Sequence, residues 1–79
     1  MEQTEELGVA VIKVEVGKKS TLLREVRTLK VGEVITLDTK AGSLLKIYAD
    51  GRFIGNGEAV VVGDRYGVRI IDIVPPDER

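Results

Sequence analysis

Gly57-Glu58-Ala59-Val60-Val61-Val62-Gly63-Asp64-Arg65-Tyr66-Gly67-Val68-Arg69-Ile70-Ile71-Asp72-Ile73 is the stretch that decides the fold. Two β-rich runs flank Gly63-Asp64, and a glycine at the first place of a two-residue loop supplies the positive φ of a type II′ turn. With Gly63 and Asp64 as the loop, Val62 faces Arg65, Val61 faces Tyr66, Val60 faces Gly67, Ala59 faces Val68 and Glu58 faces Arg69. Side chains alternate across a strand, so this register sorts the hairpin into two faces. Ala59, Val61, Tyr66, Val68 and Ile70 make one wholly apolar face, expected to be core. Glu58, Val60, Val62, Arg65, Arg69 and Ile71 make the other, a surface with valines left on it and Glu58 and Arg69 placed as a cross-strand charge pair.

Upstream, Leu44 to Ala49 and Arg52 to Asn56 flank Asp50-Gly51, the preferred dipeptide of a type I′ hairpin, which sets Tyr48 opposite Phe53. Gly55 and Gly57 are the expected bend points between the two hairpins. Nearer the N-terminus, Leu7 to Val16 reads as a strand with a fault in its phase. Leu7, Val9 and Val11 share one parity, and Ile12, Val14 and Val16 share the other. Either a bulge shifts the pleat, or the strand is buried on different faces in different stretches, as in a strand passing between subunits. Gly17-Lys18-Lys19-Ser20 is a turn, after which Ser20 or Thr21 is placed to cap a two-turn helix. Leu22, Leu23, Val26 and Leu29 form its apolar stripe and Gly32 ends it. Glu33 to Leu37 reads as a second strand and Asp38 to Ser43 as a loop. Pro75-Pro76 closes the last strand. Five short strands, one small helix and frequent turns describe a small all-β domain at 7–74, with a polar lead-in at 1–6 and a tail at 75–79.

A chain of 79 residues buries only roughly 60–65% of its unfolded surface, so a monomer of this size is marginal. No cysteine is present to supply a disulfide or a thiolate metal site, which leaves oligomerisation as the route to stability. Twelve Val, seven Ile and seven Leu, set on both faces of several strands, exceed what one thin sheet covers, and an obligate homodimer is the expectation. Residues 7–74 carry 11 basic and 8 acidic groups, a net of +3 well short of a nucleic-acid footprint. No apolar run approaches the ~20 residues of a membrane-spanning helix, and the acidic start lacks the basic region of a signal peptide, so no membrane insertion and a cytoplasmic location are expected.

Catalytic chemistry has little to work with. The chain has no histidine and no cysteine, and Ser20 and Ser43 lie outside any nucleophile-elbow pattern. Asp50 and Asp64 occupy turns that favour aspartate on backbone grounds, and Gly51 to Gly57 is not followed by a helix that would make it a phosphate loop. No enzyme, cofactor or metal site is expected. Lys18, Lys19, Arg24, Arg27 and Lys30 cluster around the helix, but no aromatic residue stands beside them, which disfavours a nucleic-acid partner. Val60 and Val62 on an expected outer face are better explained as an association surface than as ordinary exposure.

Several ordered segments carry a family resemblance. They are Val14-Glu15-Val16-Gly17, Ser20-Thr21-Leu22-Leu23-Arg24-Glu25-Val26, Leu29-Lys30-Val31-Gly32-Glu33-Val34-Ile35-Thr36-Leu37-Asp38, Asp50-Gly51-Arg52-Phe53-Ile54, Gly57 to Val62, and Tyr66-Gly67-Val68-Arg69-Ile70. From about Gly8 to Val74 the chain resembles the SpoA (surface presentation of antigens) family, found in flagellar motor switch proteins of the FliN type, at the C-terminus of FliM and in the SctQ proteins of type III secretion systems. The resemblance implies an intertwined, saddle-shaped β homodimer, in which Val9, Val11, Ile12, Val14, Val16, Val68 and Ile70 are expected in the dimer core. It implies a structural role in the cytoplasmic switch ring at the flagellar basal body, with FliM and the export protein FliH as partners and tetramers as a further possible state. The family's apolar interaction patch falls here on Ala41, Ala59, Val60 and Val61, to which the hairpin register adds Val62. Only about six residues precede the domain, which counts against direct CheY binding. A SctQ-type sorting-platform subunit is the alternative, and a small nucleic-acid-binding β-barrel the second.

Overall fold

The computed structural model describes residues 7–79. Four antiparallel strands form one sheet in chain order: β1 (Ile12–Glu15), β2 (Leu45–Ala49), β3 (Arg52–Val62) and β4 (Arg65–Ile73). A single helical turn, α1 (Leu23–Val26), lies between β1 and β2, and a 3-10 turn at Pro76–Glu78 follows β4. The all-β class holds, with four strands where the sequence pattern suggested five. Glu33 to Leu37 forms no strand and joins no ladder among the described residues.

Both hairpins follow their turn chemistry. Asp50 at φ 49° and Gly51 at φ 83° give the two positive φ values of a type I′ turn. Gly63 at φ 63° takes the positive φ of its own loop. The β3–β4 register matches the expected one from Val62↔Arg65 to Glu58↔Arg69. Tyr48 and Phe53 are paired, with ring centroids 5.9 Å apart and planes at 72°, an edge-to-face contact. The bend points are two bulges. One, between Ile47 and Tyr48, leaves Ile54 unpaired on β3, and the other, between Asn56 and Gly57, leaves Ile71 unpaired on β4.

Close backbone approach explains the glycines at these bulges. A Cβ on Gly55 would strike the Asp72 carbonyl oxygen, and one on Gly57 would stand 2.7 Å from Val68 Cγ2 and 3.1 Å from Ile47 Cδ1. Ile47, 1% exposed, is the one buried large hydrophobic among the described residues. It is wedged between Val14 of β1 and Gly55 of β3, its two register partners.

Other expectations need correction. β1 begins at Ile12, the point of the phase fault, and residues 7–10 join no ladder, so the fault marks where pairing starts. α1 has one turn, with Leu22 as N-cap and no side-chain cap. Thr21 Oγ1 donates instead to Glu25 Oε1 at 2.6 Å, four residues on. The shortening follows from burial: none of α1's residues is covered, and so short a helix needs an apolar face packed to hold its turns. The lead-in at 1–6 lies outside the described residues.

Two aspartates fasten the first strand at its ends. Asp50 donates its N–H to the Val11 carbonyl and accepts the Val11 N–H on Oδ1, both at 3.0 Å. Asp38 makes the same reciprocal pair with Lys18 at 2.9 Å in each direction. The turn role expected of Asp50 is therefore half of its work. Acceptance of the Lys18 N–H holds the Asp38 carboxyl below its ordinary range, with a smaller contribution from the Thr39 hydroxyl.

Gly57→Ala is expected to destabilise the sheet toward the upper end of the roughly 1–3 kcal/mol of overpacking, measured by thermal or urea unfolding. The Asp38 carboxyl is expected to titrate below the carboxylates of exposed residues in an acid series followed by 13C NMR. Because its folded pKa is lowered, its stabilisation is present at neutral pH and lost as pH falls through that lowered value.

Candidate protein-interaction surface

β2 covers β3 only from Arg52 to Gly57, since its first residue, Leu45, pairs with Gly57. Beyond that point Glu58–Val62 and Arg65–Arg69 pair only with each other and project as a two-stranded ribbon. Such ribbons are marginal in water, because each strand has one neighbour and neither face is covered.

Strand alternation carries the face holding Ile47 outward along this ribbon through Gly57, Ala59 and Val61 on β3 and Ile70, Val68 and Tyr66 on β4. The face expected to be core is thus continuous with the buried Ile47, but its outer part is bare. Val61 is 71% and Tyr66 91% exposed, Ile70 is exposed, and Val68 is half-buried. Within the single chain this face is uncovered: among the described residues nothing else lies over its outer part. On the opposite face, Val60 Cγ2 and Val62 Cγ2 close around the space at Gly67, 3.4 and 3.3 Å from where a Cβ would be. Val60 is half-buried as a result, while Val62 stays 65% exposed. Glu58 and Arg69 form the expected ion pair at 3.2 Å on that face, a contact exposed enough to contribute little.

Ala59 and Val61 therefore occupy one face of the ribbon and Val60 and Val62 the other, so a patch of consecutive residues shows both parities because the ribbon is free on both sides. Ala41 is exposed in the turn closed by the Ser43 N–H on the Lys40 carbonyl. That turn leads into β2 at the end of the sheet from which the ribbon departs. Of the residues expected in a dimer core, Val9, Val11, Ile12, Val16 and Ile70 are exposed within this chain and Val14 and Val68 are half-buried. Tyr66, expected on the core face, stands on the exposed ribbon within this chain. Its pairing with Val61 was the signal available in the sequence.

A second apolar surface lies between α1 and the extended stretch 33–37. This open groove of about 670 Å³ is lined by Val26, Leu29, Val34, Ile35 and Leu37 among others. No helix in the described residues is long and apolar enough to cross a membrane, and no group of three or more His, Cys, Asp or Glu is placed to hold a metal ion among them. The arrangement offers apolar faces and strand edges for association.

Comparison with known proteins agrees with that geometry. A family model described as the type III flagellar switch regulator (C-ring) FliN C-term matches residues 10–75. The flagellar motor switch protein FliN of Pectobacterium carotovorum is 47% identical over 66 residues, covering 84% of this chain and 62% of that protein. The flagellar motor switch phosphatase FliY of Bacillus subtilis is 37% identical over 68 residues, 86% of this chain but 18% of that protein. The crystal structure of YscQ-C from Yersinia pseudotuberculosis superposes with a TM-score of 0.70 at 26% identity, covering 94% of this chain and 85% of that one. The chain thus spans about three-fifths of the length of the FliN relative and a small part of FliY. With all of its described sheet inside the matched region, the chain belongs to the FliN C-terminal family of type III flagellar switch regulators, whose SpoA-type fold it shares.

Proposed function

We propose that this chain is a homodimeric, ring-building module of the flagellar motor switch, joining FliM in the ring, contacting FliH of the export apparatus, and performing no catalysis itself. The observation that carries the reading is the bare continuation of the Ile47 face along the β3–β4 ribbon. The chain exposes 7142 Å² to solvent, against about 4,700 Å² for a folded monomer of its mass. That excess, doubled for two copies, is of the order of the 2,000–5,000 Å² buried in obligate dimers. A second copy is the natural cover, because the chain also carries an unpaired strand-forming stretch, Glu33 to Leu37, and a five-residue edge of β3 with no neighbour. Val9, Val11, Ile12, Val14, Val16, Val68 and Ile70 fill the shared core in this reading. Ala41 and the ribbon residues Ala59, Val60, Val61 and Val62 meet the ring and export partners. The location that follows is the cytoplasmic face of the inner membrane at the basal body.

The likeness to YscQ-C favours one second reading, a SctQ-type subunit of a secretion sorting platform. The flagellar reading is preferred because identity to the FliN relative is 47% against 26% to YscQ-C.

Sedimentation equilibrium is expected to give a dimer mass across micromolar concentrations, and a concentration-independent monomer would overturn the dimer. Val60→Asp with Val62→Asp, both on the face opposite Ile47, is expected to keep the dimer sheet by circular dichroism and weaken capture of purified FliH at least tenfold. Capture of a SctQ-system partner in preference to FliM would favour the secretion branch.

A further inference from the structure

Residues 19–37 leave the sheet and return to it at a single neck. Among the described residues, no hydrogen bond or ion pair joins this stretch to the sheet; its backbone bonds, such as Val26 N–H to the Leu22 carbonyl, stay within it. The neck itself is tightly built. Lys18 and Asp38 exchange their reciprocal pair at 2.9 Å, and Thr39 Oγ1 donates to the same Asp38 Oδ1 at 3.3 Å. Gly17 packs beneath at φ 156°, where a Cβ would stand 2.7 Å from Thr39 Oγ1 and 3.0 Å from Leu37 Cβ. Glu15, Lys18, Asp38 and Lys46 are the charged groups around the adjoining cavity of about 220 Å³.

The stretch beyond this neck is an arm with an apolar stripe and no cover. Leu22, Val26, Leu29, Val34 and Ile35 are all exposed, Val34 at 87%. An arm that docks elsewhere loses conformational freedom on docking, and anchoring both of its ends in one fixed geometry removes part of that loss beforehand. A carboxylate accepting a main-chain N–H and a hydroxyl makes a charge-assisted anchor that does not depend on the arm's own packing.

We propose that the Lys18–Asp38 neck aims this arm at a second copy of the chain, making Asp38 a positioning residue for dimer assembly. The inference rests on the homodimer reading above and adds to it a named device. Asp38→Ala removes the acceptor while Asp38→Asn retains an oxygen for the Lys18 N–H. Gly17→Ala pries the same neck from its other side.

Dimer dissociation constants from sedimentation, with amide chemical shifts of β2–β4 as the readout of the sheet, test it. Asp38→Ala and Gly17→Ala are expected to weaken the dimer at least tenfold with β2–β4 shifts retained, and Asp38→Asn to restore most of that loss. An Asp38→Ala dimer as tight as the unsubstituted one overturns the neck's role and leaves the homodimer standing. Collapse of the β2–β4 signals along with the dimer also overturns it, because the neck would then support the whole sheet. A monomeric unsubstituted protein removes the homodimer reading itself.

Discussion

An apolar sheet face must be removed from water, and in this chain most of that face has nothing over it. Burial of apolar area is the main favourable term in folding a domain of this size. Here the continuous face from Val14 and Ile47 to Val61 and Tyr66 is sealed only around Ile47. Every other feature makes sense against that constraint. Two bulges interrupt the register of the long hairpin, Gly55 and Gly57 let the backbones approach there, and the ribbon beyond has no strand but its own partner beside it. A sheet built to be covered by its own helix would place α1 over Ile47, yet α1 has no buried residue.

The same constraint accounts for the arm. Strand-forming residues at 33–37 form no strand, and a helix with a sound apolar stripe forms only one turn. Both are elements whose local preferences agree with regular structure but which have no tertiary partner among the described residues. The reciprocal aspartate pairs at Val11–Asp50 and Lys18–Asp38 hold the first strand and the foot of the arm by hydrogen bonds where packing supplies little. Polar fastening of this kind is directional, so it fixes geometry where nonpolar contact alone leaves it loose.

For function, a surface of this kind is suited to assembly. Catalysis needs titratable groups converging in a cleft. The described residues offer apolar strand faces, free edges and an open groove. Membership in the FliN C-terminal family places such a surface among proteins named for a flagellar motor switch.

Local chemistry made much of this legible in the sequence. Asp50-Gly51 and Gly63-Asp64 dictate their turns through backbone φ, a two-residue loop dictates register, and register dictates faces; the pairings from Val62↔Arg65 to Glu58↔Arg69 and Tyr48↔Phe53 follow. The apolar residues that point to association could likewise be counted and assigned to faces before any coordinates. Only the tertiary structure decided how far each element extends and what covers it. Where β2 stops along β3, that Val61 is bare while Val60 closes over Gly67, and that Asp38 and Asp50 each clasp a residue far back in the chain all depend on contacts between distant segments. Sequence periodicity reports which side of a strand is apolar; whether anything lies against that side is a property of the assembled molecule.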